Sequence, residues 1–203
     1  MPSLSQFKAL AALFTFSATF TTAQSGSGTT TRYWDCCKPS CAWSDKPGIA
    51  SPVKTCDIND KPLSDQNAAS GCAGGSAYMC SDQSPWAISD DLAYGFAAVN
   101  SASPACCACY QLTFTSGAVK GKKMVVQATN TGSDVGSTQF DLAIPGGGFG
   151  MFDGCSKEWG ATSAVWGAQY GGPSTNTCPS FPKALQPGCG FRWGWMGGAD
   201  NPT

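Results

Sequence analysis

The sequence predicts a mostly β domain with short helices and long disulfide-stapled loops. Three observations predict it. The 25 glycines and 13 prolines favour turns over long helices. The β-branched and apolar runs, such as Lys123 to Thr129, are short. The 12 cysteines fit an oxidising destination and covalent staples between loops. A length of 203 residues suits one domain with a real core. Strands of this kind favour a closed barrel over an open sheet.

Residues 1–23 read as a signal peptide. Lys8 supplies the positive start, Ala9 to Phe20 is an apolar run too short to span a bilayer, and Thr21-Thr22-Ala23 offers small residues for cleavage. The mature domain is therefore expected over 24–203, in a secreted, extracellular protein. Ser25 to Thr29 is a polar lead-in. Pro47 to Gly75 is irregular loop pinned by Cys56 and Cys72, with Cys80 just beyond. A helix is expected after Ser84-Pro85-Trp86. Ser89 caps it, Asp90 and Asp91 sit in its first turn, and Leu92, Phe96 and Val99 share one face. Strands are expected from Cys106 through Phe114, over Lys123 to Thr129 and over Gln139 to Ile144. Pro145-Gly146-Gly147-Gly148 ends the last and lets the backbone approach a neighbour. Cys155 to Trp159 suits one helical turn. Phe191, Trp193 and Trp195 alternate as on one face of a strand.

Composition also excludes. A net charge of −1, with 12 lysines and arginines and no basic run, offers nothing to nucleic acid. No second apolar segment is long enough for a membrane, and a monomer is expected. Without histidine there is no Ser-His-Asp triad and no ordinary zinc site, so no metal or cofactor is expected. Paired cysteines are poor nucleophiles. Acid–base chemistry therefore falls to the 13 carboxylates.

Most of these suit other tasks. Asp57, Asp60 and Asp65 lie in the polar loop; Asp45, Asp82, Asp153 and Asp200 sit in turns; Asp90 and Asp91 serve the helix start. Glu158, the single glutamate, stands beside Lys157 and is expected to be exposed. Asp35, Asp134 and Asp141 remain. Asp35 follows Tyr33-Trp34 and precedes Cys36, Cys37 and Cys41. Three tethers there would give it the angular precision that catalysis needs, or Asp35 merely caps a turn. Asp141 lies between Phe140 and Leu142 on the other strand face. Among apolar neighbours its pKa would rise, which suits a proton donor; in water it would be an ordinary strand aspartate. Asp134 sits in a glycine-bearing loop that either closes over a ligand or ends a turn.

Thr31-Arg32-Tyr33-Trp34-Asp35, with Cys36, Cys37 and Cys41 behind it, resembles the signature of family 45 glycoside hydrolases, the small fungal endoglucanases. The likeness continues through Asp82-Gln83-Ser84-Pro85-Trp86-Ala87, Cys106-Cys107-Ala108-Cys109-Tyr110, Phe140-Asp141-Leu142 and Ala199-Asp200-Asn201-Pro202. It implies a six-stranded double-psi β-barrel with an open groove, and inverting hydrolysis of cellulose and related β-1,4-glucans. Asp35 falls at the general base and Asp141 at the general acid, with Asp134 and Tyr33 assisting. Trp34 and Trp43 fall at groove aromatics, Trp34 being equally suited to the core. Thr31, Arg32 and Lys38 fall with them as substrate-binding residues. The resemblance pairs Cys36 with Cys155, Cys37 with Cys72, Cys41 with Cys106, Cys56 with Cys80 and Cys178 with Cys189.

Cys107 and Cys109 are left over. On one strand their Cα atoms would stand roughly 6.5 Å apart, so bonding them would demand strain. In the family their partners lie in a C-terminal segment beyond the position of Thr203, so a truncated chain is expected. Gln139 departs from the histidine that many relatives carry, which would alter the tuning of Asp141. Two rival readings stand beside it: a non-hydrolytic expansin- or swollenin-like module, which shares the barrel and the acid but usually lacks the base, and a barwin-like binding or defence domain, which would not need both carboxylates.

Overall fold

A computed structural model describes residues 25–47, 49–101 and 106–203. The expected signal peptide lies outside the described residues. Six strands form one sheet: β1 (Thr29–Tyr33), β2 (Trp86–Ala87), β3 (Leu92–Asn100), β4 (Cys109–Thr113), β5 (Lys123–Gly132) and β6 (Gln139–Ala143). Their order is β1-β6-β3-β5-β4, with β2 on β3. The β1–β6 and β3–β5 pairs are parallel; β3–β6 and β4–β5 are antiparallel. Helices α1 (Cys155–Trp159), α2 (Ser163–Trp166) and α3 (Gln186–Trp193) are short.

The sheet does not close, against the expectation of a closed barrel: β1 and β4 end the order without pairing. The C-terminal residues span that side instead. Thr30 Oγ1 donates to the Pro202 carbonyl, and the Thr115 and Ser116 amides donate to the Thr203 carbonyl. Phe191 of α3, with Met196 and Ala199 just beyond it, packs with Met124, Val126 and Leu142 of the sheet. Side chains thus seal the gap that strand pairing leaves open.

The expected helix at 89–99 is a strand. Leu92, Phe96 and Val99 do recur at helical spacing, but Ala93, Gly95 and Ala97 alternate with half-buried Leu92, Tyr94 and Phe96 along a ladder to β5. Sheet pairing on both sides overrides the local pattern. Ser89 Oγ donates to Asp91 Oδ1 at 2.6 Å, so those residues make a turn and not a cap. Phe191 and Trp193 lie on α3, not on a strand. Pro187 opens that helix and the Cys178–Cys189 bridge anchors it. Helix α1 falls where the helical turn was expected, but Glu158 is buried, with 6% of its surface exposed. It stands three residues after Cys155, on the face that the Cys36–Cys155 bridge pins inward.

Five disulfides join Cys36–Cys155, Cys37–Cys72, Cys41–Cys106, Cys56–Cys80 and Cys178–Cys189. These are the same five pairs that the family resemblance implies. Cys107 and Cys109 are free. Cys36, Cys155, Cys178 and Cys189 sit inside a core with Tyr33, Trp34, Met79, Trp166 and Phe181, so covalent and apolar packing coincide.

Candidate active site

The parallel β1–β6 register sets the site. It places Thr31 opposite Asp141. Thr31 Oγ1 donates to Asp141 Oδ1 at 2.6 Å and accepts from Gln139 Nε2 at 2.7 Å. Gln139 Oε1 in turn accepts from the Gly136 amide at 3.0 Å. A relay of three hydrogen bonds thus runs from the 133–138 loop to the Asp141 carboxyl. Asp134 is exposed in that loop. Burial raises the Asp141 pKa to about 6; the Thr31 bond opposes this, the Asp134 charge adds to it, and Arg32 opposes it.

Asp35 lies two residues past the end of β1. Cys36 adopts a left-handed backbone at φ 61°, which turns the chain sharply there. The Cys37 amide donates to Asp35 Oδ1 at 2.9 Å, and the Gly154 amide donates to the Asp35 carbonyl at 3.0 Å. Burial pushes the Asp35 pKa to about 7 against hydrogen bonds from the Cys37 amide and its own amide, with the Asp141 charge pushing it up as well. The Asp141 charge thus reaches Asp35, as the least of the causes acting there. Burial, then the Asp35 charge, holds the Tyr33 hydroxyl well above its usual range.

An open cleft of about 690 Å³ runs past Thr31, Arg32, Tyr33, Asp134, Gln139 and Asp141. Its far wall comes from Gln169 to Ser174, Arg192 and Trp193 of α3, and Gly198 to Asn201. Gly147 lets this wall start close to β1: a Cβ there would stand 2.5 Å from the Tyr33 nitrogen. Asp35 does not line the cleft.

The pattern of glycosyl hydrolase family 45 matches residues 27–203. The chain belongs to that family. A putative endoglucanase type K of Fusarium oxysporum is 59% identical over 186 residues, covering 89% of this chain and 49% of that protein. An endoglucanase of the springtail Cryptopygus antarcticus is 52% identical over 184 residues, covering 88% of this chain and 81% of that one. The crystal structure of a cellulase from the same springtail superposes with a TM-score of 0.82 at 52% identity, over 89% of this chain and 88% of that one. This family 45 chain thus spans about half the length of its Fusarium relative. Similar proteins occur in both a fungus and an animal, so the likeness is not to fungal proteins alone.

Not every expected site residue reaches the family 45 cleft. Trp34, 2% exposed, belongs to the core and offers no open face. Lys38 is buried: its Nζ donates to the Gln66 and Ala68 carbonyls at 2.6 and 2.9 Å, and sits 3.4 Å over the Trp43 ring. A lysine so engaged has no free donor face for a ligand. Trp43 is half-buried. Sequence reading missed Tyr170, Arg192, Trp193 and Asn201 as cleft residues. The Gln169-Tyr170-Gly171-Gly172-Pro173 turn was the available signal: 68% of the Tyr170 surface is exposed on a glycine-bearing loop.

Proposed function

We propose that this chain is a secreted endo-β-1,4-glucanase that cleaves internal glucosidic bonds with inversion. One observation carries the reading: a half-buried, Thr31-bound Asp141 faces an open cleft, and its charge reaches Asp35 from a remote part of the chain. Inverting hydrolysis needs a proton donor and a second carboxylate that activates water roughly 6.5–9.5 Å away. Asp141 is the donor: burial keeps it protonated at mildly acidic pH, and it opens directly to the cleft. Asp35 is the base: the Cys37 amide stabilises its charged form. In the free chain Asp141, at about 6, ionises before Asp35, at about 7, so these roles require substrate in the cleft to raise Asp141 above Asp35. Asp134 assists by raising Asp141, and Tyr33 lines the cleft within reach of the Asp35 charge. Thr31 holds the acid; Tyr170 and Trp193 are the aromatics of the far cleft wall, and Trp43, covered by Lys38, lies outside the cleft lining. The two parallel strand pairs joined antiparallel support a double-psi topology, with the open side bridged by side chains. Homologues named as endoglucanases support the substrate class.

The test is reducing-end release from a soluble cellulose derivative, with Asp35→Asn and Asp141→Asn as controls. The anomer formed first is read by NMR. Release that survives both substitutions would refute the assignment. Asp35 standing outside the cleft lining favours a second reading, a non-hydrolytic glucan-binding module. Binding without release, at any pH, would select it.

A further inference from the structure

Arg32 was expected to touch substrate, yet its guanidinium is committed elsewhere. Nη1 makes an ion pair with Asp200 Oδ1 at 2.5 Å and donates to Asn201 Oδ1 at 2.9 Å. Nη2 donates to the Gly171 carbonyl at 2.9 Å. Its side chain is 7% exposed, so little of it meets solvent. The same Gly171 carbonyl also accepts from Arg192 Nη1 at 3.3 Å, and that nitrogen donates to the Pro173 carbonyl at 2.9 Å. Gly171, Pro173, Asp200 and Asn201 all line the cleft. One planar fork, rooted in β1 beside the acid-holding Thr31, therefore ties two separate stretches of cleft wall together.

The backbone of 171–172 depends on such ties. Gly171 and Gly172 both adopt left-handed φ, at 87° and 70°. A Cβ on Gly172 would stand 1.9 Å from the Gly146 carbonyl oxygen, so the turn is pressed against the chain leaving β6. Tyr170 rides on this turn. Movement of the turn therefore alters the wall that a sugar ring meets. Arg32 also lowers the Asp141 pKa through its charge, so the fork has an electrostatic line to the acid as well as a mechanical one to the wall.

We infer that Arg32 is a positioning residue that clamps the 169–173 turn to Asp200–Asn201 and so fixes the cleft wall against which a β-1,4-glucan chain is registered. The inference rests on the hydrolase reading for its substrate, and it separates two effects. The clamp needs a planar fork that reaches three acceptors; the effect on Asp141 needs only a cation.

The experiment compares Arg32→Lys, Arg32→Met and Asp200→Asn with the wild type. Soluble β-1,4-gluco-oligosaccharides of increasing length serve as substrate, with KM, kcat, pH–rate profile and melting temperature read for each. Arg32→Lys keeps the cation but not the fork. It should raise KM for the longer oligosaccharides about tenfold, with kcat and the pH profile nearly held. Arg32→Met should raise KM as much and also move the basic limb of the profile to higher pH, because the charge that lowered Asp141 is gone. Asp200→Asn loosens the clamp from its other end and should raise KM by a smaller factor with Arg32 intact. A folded Arg32→Lys with wild-type KM overturns the inference, as does a KM rise that does not grow with oligosaccharide length. If Arg32→Met does not fold, Asp200→Asn decides: unchanged KM overturns the clamp. A wild type that releases no reducing ends defeats the hydrolase reading alone. Oligosaccharide affinity, read by tryptophan fluorescence, then takes the place of KM in the same comparison, and a wild type that does not bind overturns the clamp too.

Discussion

Half-buried Asp141 and buried Glu158 both carry raised pKa values, and they could hardly differ more in use. Asp141 sits on β6 with a hydroxyl donor from Thr31, a neighbouring carboxylate and an open cleft. Glu158 sits on α1 with burial first, then the Asp60 charge, pushing it to about 9. No hydrogen bond of normal geometry reaches either of its oxygens among the described residues. Burial alone therefore raises a pKa without making a working acid. What distinguishes Asp141 is a donor that fixes its orientation and a path to solvent. The largest expected break in this comparison is in activity. Asp141→Asn should lower kcat by about 10²–10⁴-fold with the fold intact, the range of a lost general acid. Glu158→Gln should leave neutral-pH turnover within about twofold. Reducing-end assays, with melting curves as the fold control, decide both, and comparable losses in the two variants would remove the distinction.

The second break is in stability. Cys36–Cys155 closes a loop with a sequence separation of 119 and pins both α1 and the Asp35 segment. Replacing both cysteines with serine should cost about 4–5 kcal/mol of unfolding free energy on the chain-entropy account. Denaturant midpoints would show it. Cys178–Cys189, with a separation of only 11, should cost less when removed in the same way. An equal cost for the two bridges would mean that local strain, not loop length, sets their worth.

The third sharpens the contrast by pH. Glu158 is neutral in the fold but ionises near 4.5 when unfolded. Its raised folded pKa means that stability falls as pH rises from about 4.5 to about 9 and then levels off. Asp35 and Asp141, raised to about 7 and about 6, contribute the same kind of loss only up to those values. Between pH 7 and 9 Glu158 contributes about 2–3 kcal/mol of this loss, and the Cys107 thiol, also raised by burial, adds only near the upper end. Glu158→Gln should flatten the melting temperature across that window. Parallel curves for variant and wild type would show that Glu158 is charged in the fold.

Part of this was legible in the sequence. Lys123 to Thr129 and Gln139 to Ile144 read as strands because alternation and β-branched residues agree with the observed ladders, the second ending one residue sooner at Ala143. The Asp35 motif and Asp141 stood out because so few carboxylates lacked a turn or loop to explain them. The β3 strand was not legible, since Leu92, Phe96 and Val99 fit a helix equally well and only pairing with β5 decides. Glu158 was misread for a related reason: a charged residue beside Lys157 reads as surface until the disulfide three residues earlier fixes which face of α1 turns inward. The far cleft wall was hidden because Tyr170, Arg192 and Asn201 converge from separate stretches, which no local pattern records.

The smallest expected effect lies in the relay that marks Asp141 off from Glu158. Thr31 Oγ1 both holds Asp141 and receives Gln139. Its bond favours the charged form of Asp141 and so lowers that pKa. Thr31→Val keeps the shape and removes the hydroxyl. The Asp141 pKa should rise, moving the basic limb of the pH–rate profile upward. At the optimum, kcat should fall only several-fold, because the acid keeps its burial and loses its orientation. Gln139→Ala removes the outer bond of the relay but leaves Thr31 in place, so it should shift the limb less. Should Gln139→Ala shift the profile more than Thr31→Val, the hydrogen bonds do not act in series from the loop to the acid, and the Asp134-bearing loop reaches Asp141 through charge alone.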